Sequence, residues 1–294
     1  MLIDIVYTWV NGLDHEFILK KNRYLNNSMI EDNPAIRFES LNEIYFSIKS
    51  VLKYLPWINK IYIVTDNQIP ELDSDIYSTG KIEIINHTDI IPNEYLPTFY
   101  SDTIESYLHN IPNLSEIFLY NNDDLFFLDY IEPSDIVVFE NGKDNLILRN
   151  VFNIDVLKSK KSEYSKRIVK TFDILRKLTD KQLVNNHHTK ILRKSTLKYI
   201  EHEFPALLSQ MREHKFRNSD SIQYLFFAIN IDNIFFDNII INKPTDVIEY
   251  HFGNDLCERV YYKFDITKKY KFACFNSMNL TYKDIFYKYI SHFV

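Results

Sequence analysis

The chain has 294 residues, of which 46% are hydrophobic and 15% aromatic, so it is typical of a globular protein rather than a disordered one. Its formal net charge of −6 argues against a nucleic-acid-binding protein that relies on a broad positive field. Glycine occurs at only 4 positions and neither GxGxxG nor GxxxxGKS/T is present, which argues against a glycine-rich phosphate loop.

Targeting and redox features are sparse. Cys257 and Cys274 lack metal-ligand spacing, and we expect them to be small buried thiols. The first residues do not form a basic segment followed by a long apolar run, and no apolar run reaches roughly 18 residues, so we expect neither a signal peptide nor a membrane-spanning helix. A cytoplasmic location fits these features.

Strands alternate with helices in the first part of the chain. In order, the patterns predict a strand at 2–7, a helix at 39–55, strands at 60–65 and 81–85, a helix at 101–110, and a fourth strand that ends at paired aspartates. Ser40 is expected to cap the first helix, with Glu43 completing a capping box. The alternation predicts an α/β, Rossmann-like fold with a mostly parallel sheet.

The composition changes after about residue 150. Residues 158–183 form a basic amphipathic pattern, usually a solvated helix face, with contact to an anionic polymer as the alternative. A helix at 195–211, strands at 234–241 and 246–252, and an aromatic helix at 282–294 that docks on the core are also predicted. We predict an α/β core at 1–150, a helical insertion at 151–230, and a segment at 231–294 that completes the same domain.

The most informative motif is Ile-Phe-Leu-Tyr-Asn-Asn-Asp-Asp at 117–124. An apolar strand that ends in Asp123 and Asp124 places two carboxylates at the carboxyl edge of a parallel sheet, where ligands bind in open α/β folds. Adjacent carboxylates suit Mg²⁺ or Mn²⁺, which in turn can hold a phosphate. The alternative is a polar turn after the strand, with Asp124 capping a helix.

Four blocks of sequence resemble the Stealth family of hexose-1-phosphate transferases, which includes bacterial capsule polymerases and the lysosomal-enzyme GlcNAc-1-phosphotransferase. The blocks are Ile-Asp-Ile-Val-Tyr-Thr-Trp-Val-Asn-Gly-Leu-Asp at 3–14, a long block at 37–124 that contains Ile-Val-Thr-Asp-Asn-Gln-Ile-Pro at 63–70, a thinner block with His188-Thr189, Arg193 and Lys215-Phe216-Arg217, and Lys-Phe-Ala-Cys-Phe-Asn at 271–276. Tyr100 and Ser277 depart from the family pattern, and His187 precedes His188.

The resemblance implies a glycosyltransferase-A-like fold and a specific reaction. An acceptor hydroxyl of an oligosaccharide or polysaccharide attacks the β-phosphorus of a UDP-sugar, sugar-1-phosphate is transferred, and UMP leaves. This chemistry depends on charge neutralisation and positioning more than on covalent catalysis. The implied setting is capsule or surface-polysaccharide synthesis in the cytoplasm, with peripheral contact with the inner-membrane capsule machinery as a further expectation and no nucleic-acid partner.

Roles for individual residues follow from the resemblance. Asp123 and Asp124 are expected to hold Mg²⁺ or Mn²⁺, with Glu105 as a further ligand or a supporting residue. Arg217 is expected to bind the transferring phosphoryl group, and His188 to act as the general base, with His187 as the fallback. These catalytic residues from the third block place the expected catalytic His and Arg in the helical insertion.

The nucleotide pocket is expected to be formed by residues of the first two blocks, namely Trp9, Asn11, Gly12, Asp14, Arg37, Asn42, Glu43, Asp66 and Gln68. Other interpretations remain open for some of them. Tyr7 and Trp9 share one face of the first strand, so at least one is expected in the core. Glu43 can be only a capping residue, and His87 is expected to orient the substrate.

Two alternative functions remain. A glycosyltransferase of similar architecture would also use paired aspartates, but it would release UDP instead of UMP. A binding module for nucleotide sugars or polysaccharides would release neither nucleotide.

Overall fold

The computed structural model describes residues 1–25, 40–149, 151–152, 163–179, 183–185, 188–236, 238–241, 247–251, 270–276 and 283–291. Arg37, His187, Cys257 and Ser277 lie outside these residues. The described strands are β1 (Ile3–Thr8), β2 (Ile61–Thr65), β3 (Ile82–Asn86), β4 (Ile117–Asn122), β5 (Leu125–Phe127), β6 (Val137–Glu140), β7 (Lys143–Arg149), β8 (Val151–Phe152), β9 (Val184–Asn185), β10 (Lys190–Arg193), β11 (Ile239–Ile241), β12 (Val247–His251) and β13 (Phe272–Asn276). The described α-helices are α1 (His15–Leu25), α2 (Glu43–Tyr54), α3 (Ser74–Ser78), α4 (His87–Ile90), α5 (Ser101–Glu105), α6 (Glu163–Leu175), α7 (Lys194–Glu203), α8 (Pro205–Arg212), α9 (Tyr224–Phe236) and α10 (Lys283–Ile290).

A five-stranded sheet in the order β10-β4-β1-β2-β3 forms the centre of the fold. The strands β1 to β4 run parallel to one another, and β10, at one edge of the sheet, is antiparallel to β4. β1 and β2 are buried on both faces, as their nearly continuous apolar sequences require. This sheet confirms the predicted α/β class and the mostly parallel arrangement.

A second sheet begins where the first one ends. After Asn122 the chain makes a two-residue turn through Asp123 and Asp124 and enters β5, which pairs with β13, and β13 pairs with β12. The Asp123-Asp124 dipeptide therefore joins two sheets. Because a strand and not a helix follows, Asp124 does not cap a helix.

The C-terminal helix α10 packs on the core. Phe286 and Ile290 are fully buried, and the ring of Phe286 contacts those of Phe46, Phe126 and Phe275 at centroid distances of 5.7, 6.0 and 5.7 Å. This packing confirms the predicted docking. Among the described helices, none combines the length and the apolar character needed to cross a bilayer.

Several predicted elements were wrong in detail. Residues 234–236 are the end of α9 and not strand, because the first nine residues of this helix are buried in the core and packing overrides the β propensity of the aromatic and β-branched side chains. The predicted helix at 195–211 is two helices, which meet at Pro205. The predicted helix at 101–110 is α5 followed by a short 3₁₀ turn.

The predicted capping box at Ser40 was also wrong. The N-cap of α2 is Asn42, in the left-handed conformation with φ 63°. The Glu43 carboxylate instead accepts hydrogen bonds from the Ser40 hydroxyl and the Leu41 N–H, at 2.8 and 2.7 Å. The residues that precede the helix therefore hold the Glu43 side chain at the first residue of α2.

Candidate functional site

Buried polar atoms collect at the carboxyl edge of the central sheet. Four of them lie at or directly after the ends of β1 to β4 and have no hydrogen-bond partner among the described residues: Trp9 Nε1, Thr65 Oγ1, His87 Nε2 and Asn121 Oδ1. A buried polar atom without a partner costs about 1–3 kcal/mol, so such atoms are rare in a folded chain. The presence of four such atoms at the ends of four neighbouring strands indicates a site that a polar ligand completes.

Carboxylates form the centre of this edge. Asp123 and Asp124 lie in the turn after β4, and Glu43 lies at the start of α2. Burial, followed by the negative charges of Glu43 and Asp124, raises the pKa of Asp123 well above its usual range. The charges of Glu43 and Asp124 both act on Asp123, so both carboxylates lie in its neighbourhood.

The residues present fit a hard divalent cation held in the manner of Mg²⁺. Such a cation takes one or two carboxylates from the protein and completes its shell with water and substrate phosphate. No group of three or more His, Cys, Asp or Glu side chains within the described ranges is arranged to hold a metal on its own. The thiol of Cys274 lies 3.7 Å from Asp124 Oδ2 and is buried, as predicted for this cysteine.

Glu105 belongs to a neighbouring cluster. Its Oε1 accepts a hydrogen bond of 3.0 Å from the hydroxyl of Tyr120, which also lies 3.0 Å from Asn122 Oδ1 and 2.8 Å from Thr8 Oγ1. Burial, with a contribution from the charge of Asp102, raises the pKa of Glu105 to about 8. Glu105 is therefore largely neutral at pH 7, and it is grouped with Tyr120 rather than with the aspartate pair.

His188 lies at the same edge because β10 begins there. β10 runs antiparallel to β4 with Lys190 opposite Tyr120, so continuing this register places His188 opposite Asn122. The His188 ring is buried, and its Nδ1 lies 2.6 Å from the carbonyl oxygen of Thr189. Because a carbonyl only accepts, Nδ1 carries the proton in the neutral ring, and the lone pair lies on Nε2.

Arg217 reaches the cluster from the loop between α8 and α9. Burial raises the pKa values of Glu105 and Tyr100, and the positive charge of Arg217 offsets a small part of this rise, so the guanidinium lies in the neighbourhood of both groups. The loop is anchored beside Arg217 because Phe216 stacks on Phe99, with ring centroids 5.0 Å apart, and Phe99 N–H donates to the Lys215 carbonyl oxygen at 2.8 Å.

The tips of β1 and β2 are tied together. Asn11 N–H donates to Gln68 Oε1 at 2.8 Å, and Gln68 Nε2 donates to the Asn11 carbonyl oxygen at 3.1 Å. Asp14 caps α1 by accepting a hydrogen bond of 2.8 Å from Phe17 N–H, a structural role in addition to the predicted ligand role. Gly12 is buried within this turn.

Tyr7 and Trp9 are both buried, which confirms that at least one of them is core. The hydroxyl of Tyr7 lies 2.8 Å from Ser47 Oγ and accepts a bond of 3.4 Å from Asn121 Nδ2. Asn42, the N-cap of α2, lies directly before Glu43 and so close to the carboxylates.

A cavity of about 320 Å³ lies beside the tips of β2 and β3. Its lining residues are Lys20, Arg23, Tyr24, Asp66, His87, Thr88, Leu96 and Pro97. Lys20 Nζ donates to both oxygens of Asp66, at 2.9 and 2.8 Å. Burial lowers the pKa of His87 to about 4, so its ring is neutral at pH 7.

The structure therefore divides the predicted residues into neighbouring groups along one edge. Asp123, Asp124 and Glu43 form the first, Glu105 and Arg217 the second, and Asp66 and His87 the third. No comparison or contact tests their predicted roles, which stay predictions.

Three residues escaped the sequence analysis. Lys20 lies three positions after the buried Phe17 and so on the same face of α1, a spacing that could have revealed it. Arg167 lies on the buried stripe of the basic helix, with Ile168, Thr171 and Leu175. Tyr120 looked like an ordinary strand residue, and no sequence signal distinguished it.

The fold and the carboxyl edge of its central sheet define an α/β protein with an acidic candidate ligand-binding site at the carboxyl ends of its parallel strands. Models of Stealth protein conserved regions 1, 2 and 3 match residues 1–29, 37–145 and 186–228. The chain belongs to the Stealth family, which confirms the resemblance. The resemblance at 271–276 stays a prediction.

Known relatives carry capsule-related names. The chain is 37% identical to the capsular polysaccharide phosphotransferase cps1A of Actinobacillus pleuropneumoniae and 35% identical to fcs1, of the same description, from Haemophilus influenzae. Each match covers 77% of this chain and 64% of the relative, so the chain spans less than two thirds of the length of these proteins.

Solved structures are more distant. The galactosyltransferase LgtC in complex with donor and acceptor sugar analogues matches 99% of this chain and 96% of its own, with 12% identity and a TM-score of 0.47. The glycosyltransferase GlyE of Streptococcus pneumoniae TIGR4 matches 98% of this chain and 60% of its own, with 10% identity and a TM-score of 0.45. At these TM-scores the matches add no weight, and the fold assignment rests on the sheet order.

Proposed function

We propose that the chain transfers sugar-1-phosphate from a UDP-sugar to a hydroxyl of a glycan, forming a phosphodiester and releasing UMP, with Mg²⁺ or Mn²⁺ as the cation. The reaction would serve capsule or surface-polysaccharide synthesis in the cytoplasm. The names of the relatives support phosphotransfer in capsule synthesis, and the chemistry of the site supports a diphosphate substrate.

The observation that carries the proposal is the set of unsatisfied buried polar atoms at the ends of β1 to β4, next to the carboxylates. Adjacent strands lie about 4.8 Å apart, so the tips of β3 and β4, three positions apart in the sheet, are separated by roughly 14 Å. An extended nucleotide sugar can bridge this span. Its nucleoside would occupy the cavity at Lys20 and His87, and its diphosphate would lie at the aspartates.

Charge neutralisation is the main task in this reaction. A divalent cation on Asp123 and Asp124 would neutralise the diphosphate oxygens and the departing UMP. Arg217 would bind the transferring phosphoryl group through its planar set of donors. Because Glu105 is largely neutral at pH 7, it would not compete with the phosphate for the charge of Arg217.

His188 would remove the proton from the acceptor hydroxyl. The Nδ1 contact to the Thr189 carbonyl fixes the tautomer, so the ring presents Nε2 as the proton acceptor. Its position at the start of β10, beside the end of β4, brings it to the same edge as the aspartates.

The test is incubation of the protein with a panel of UDP-sugars, a capsule oligosaccharide and Mg²⁺, with chromatography of the nucleotide and ³¹P NMR of the glycan. We expect UMP and a new phosphodiester signal, both lost with EDTA and restored by Mg²⁺. Release of UDP would instead identify a glycosyltransferase. Stoichiometric binding with release of neither nucleotide would identify a binding module.

A further inference from the structure

Helix α6 holds an arginine in the interior of the protein. The side chain of Arg167 is 2% exposed, and its Nη2 donates to Asp102 Oδ2, also 2% exposed, in a buried ion pair. The guanidinium carbon lies 5.2 Å from the ring centroid of Tyr100. A buried charge is tolerated only when its partners are well placed, so this pair fixes the relative positions of α6 and α5.

The same pair holds the loop that carries Arg217. Arg167 Nη2 donates to the Ile222 carbonyl oxygen at 3.0 Å, and Asp102 Oδ1 accepts the Tyr224 N–H at 2.6 Å. A single ion pair therefore binds the backbone on both sides of residue 223, where the loop enters α9.

Further contacts from α6 reinforce this end of the loop. Thr171 Oγ1 accepts the Gln223 N–H at 2.9 Å, and Lys170 Nζ donates to the Asp220 carbonyl oxygen. The other end is fixed independently, where Phe216 stacks on Phe99. The loop from 213 to 223 is thus clamped at both ends, with Arg217 between the clamps.

We propose that Arg167, through its ion pair with Asp102, is a positioning residue that fixes the Arg217 loop for phosphoryl binding. The expected effect of Arg167 on phosphoryl transfer rests on the proposed function, whereas its restraint of the loop does not. Arg167 lies outside the matched conserved regions of the Stealth family, because region 2 ends at residue 145 and region 3 begins at residue 186. Membership of the family therefore assigns it no role.

Electrostatics support this role. Arg167 neutralises Asp102, a buried carboxylate whose negative charge acts on Glu105. Loss of Arg167 would leave the Asp102 carboxylate buried without its charged partner.

The first experiment measures amide hydrogen exchange in Arg167→Met and in a matched control, Arg193→Met. Arg193 pairs with Asp232 at 3.1 Å, both are about 95% buried, and its guanidinium stacks on Phe236, but it lies at the opposite end of β10 from His188. We expect faster exchange at 213–223 in Arg167→Met only. Equal exchange there in Arg167→Met and the wild type would overturn the clamp, whatever reaction the protein catalyses.

The second experiment is a double-mutant cycle on UMP release, with Arg217→Ala as the second change. Arg167→Met should lower kcat by roughly 10²-fold while the donor KM changes less than about threefold. In the Arg217→Ala background it should cost no more than about threefold. An equal loss in both backgrounds would overturn the link to Arg217.

Two further measurements keep the test decisive. Arg167→Lys retains the charge but loses the planar guanidinium, whose Nη2 donates to both Asp102 and the Ile222 carbonyl oxygen. We expect this variant to fold, even where the methionine variant does not, and still to lose most of the rate. Arg193→Met should lower the melting temperature by a comparable amount and leave kcat within about twofold. Absence of UMP release by the wild-type protein would refute the proposed function. Hydrogen exchange at 213–223 would still test whether Arg167 restrains the loop.

Discussion

At the scale of single residues, Asp123 and Asp124 destabilise each other in the unliganded protein. Burial, followed by the negative charges of Glu43 and Asp124, raises the pKa of Asp123, so bringing these carboxylates together costs stability. The proposed divalent cation would relieve this repulsion, so the residues that we propose for catalysis are also residues that cost stability.

We therefore predict opposite effects of Asp124→Asn on activity and stability. UMP release should fall below detection, while the melting temperature should stay equal or rise, because one of the repelling charges is removed. The exposed carboxylate Asp75 provides the control, since Asp75→Asn should change neither quantity. An Asp124→Asn protein with wild-type turnover in Mg²⁺ would refute the metal role.

Replacement of His188 should affect the rate but not donor binding. His188→Gln keeps a polar side chain at the same site and removes the proton acceptor, so we expect a loss of roughly 10²–10⁴-fold in kcat with little change in donor affinity. Kinetics and calorimetric titration with a UDP-sugar would measure both. If the same loss follows from His187→Gln and not from His188→Gln, the base is the preceding residue.

Lys20 offers a residue-scale test of the cavity. Its charge lowers the pKa of His87, although burial is the larger cause, so Lys20→Met should raise the pKa of His87 from about 4. It should also weaken UMP binding by roughly tenfold, since the cavity proposed for the nucleoside loses one of its polar lining groups. NMR titration and calorimetry measure the two effects, and Lys60→Met, in the exposed pair with Glu83, is the control. An unchanged affinity for UMP would contradict the proposal that the nucleoside binds in this cavity.

At the scale of elements, helix α10 supports the second sheet from outside. Phe286 is fully buried against aromatic rings of α2, β5 and β13, so its removal leaves a cavity that these elements cannot easily fill. The helix therefore stabilises the sheet that continues directly from the aspartate turn.

Phe286→Ala should lower the free energy of unfolding by about 3–5 kcal/mol. Urea unfolding followed by fluorescence would measure the loss. The matched control is Phe139→Ala, because Phe139 is 71% exposed and its truncation should change stability by less than about 0.5 kcal/mol. A loss below about 1 kcal/mol at Phe286 would contradict the packing of this helix.

The elements also show what could be read from sequence. β1 to β4 were predicted because each is rich in β-branched and other apolar residues and ends in polar residues. The end of α9 was mistaken for strand, because Ile234, Phe235 and Phe236 favour strands locally and their helical state depends on packing many residues away. Arg167 was read as part of a solvated face, because a buried arginine is recognised only by its distant partner, Asp102. Local pattern thus predicted the site's scaffold, and long-range pairing decided which charges turned inward.

At the scale of the whole molecule, buried neutral histidines set the acid limit of stability. Burial lowers the pKa of His109 to about 4, against an ordinary value of 6.5. Between pH 6.5 and pH 4 the unfolded chain binds a proton that the folded chain does not, so stability falls as the pH is lowered through this range. His109 alone would account for up to about 3 kcal/mol by pH 4.

His109→Gln should make the melting temperature less dependent on pH between 6.5 and 4. The variant is expected to be somewhat less stable than the wild type at pH 7.5 and to lose less on acidification. Thermal unfolding at several pH values would measure this, and His202→Gln, at an exposed position, is the control. Parallel pH curves for the wild type and His109→Gln would contradict the assignment.

The turn at 123–124 has a mechanical consequence. One side of it is held by the ladder between β4 and β1, and the other by the ladder between β5 and β13, where Phe275 N–H donates to the Asp124 carbonyl oxygen at 2.9 Å. Two separate strand ladders thus restrain this dipeptide from both sides, so its backbone has less conformational freedom than that of most surface loops. The backbone of the two aspartates is therefore already ordered before a ligand binds. Binding of the proposed cation and diphosphate would then cost little conformational entropy at this turn.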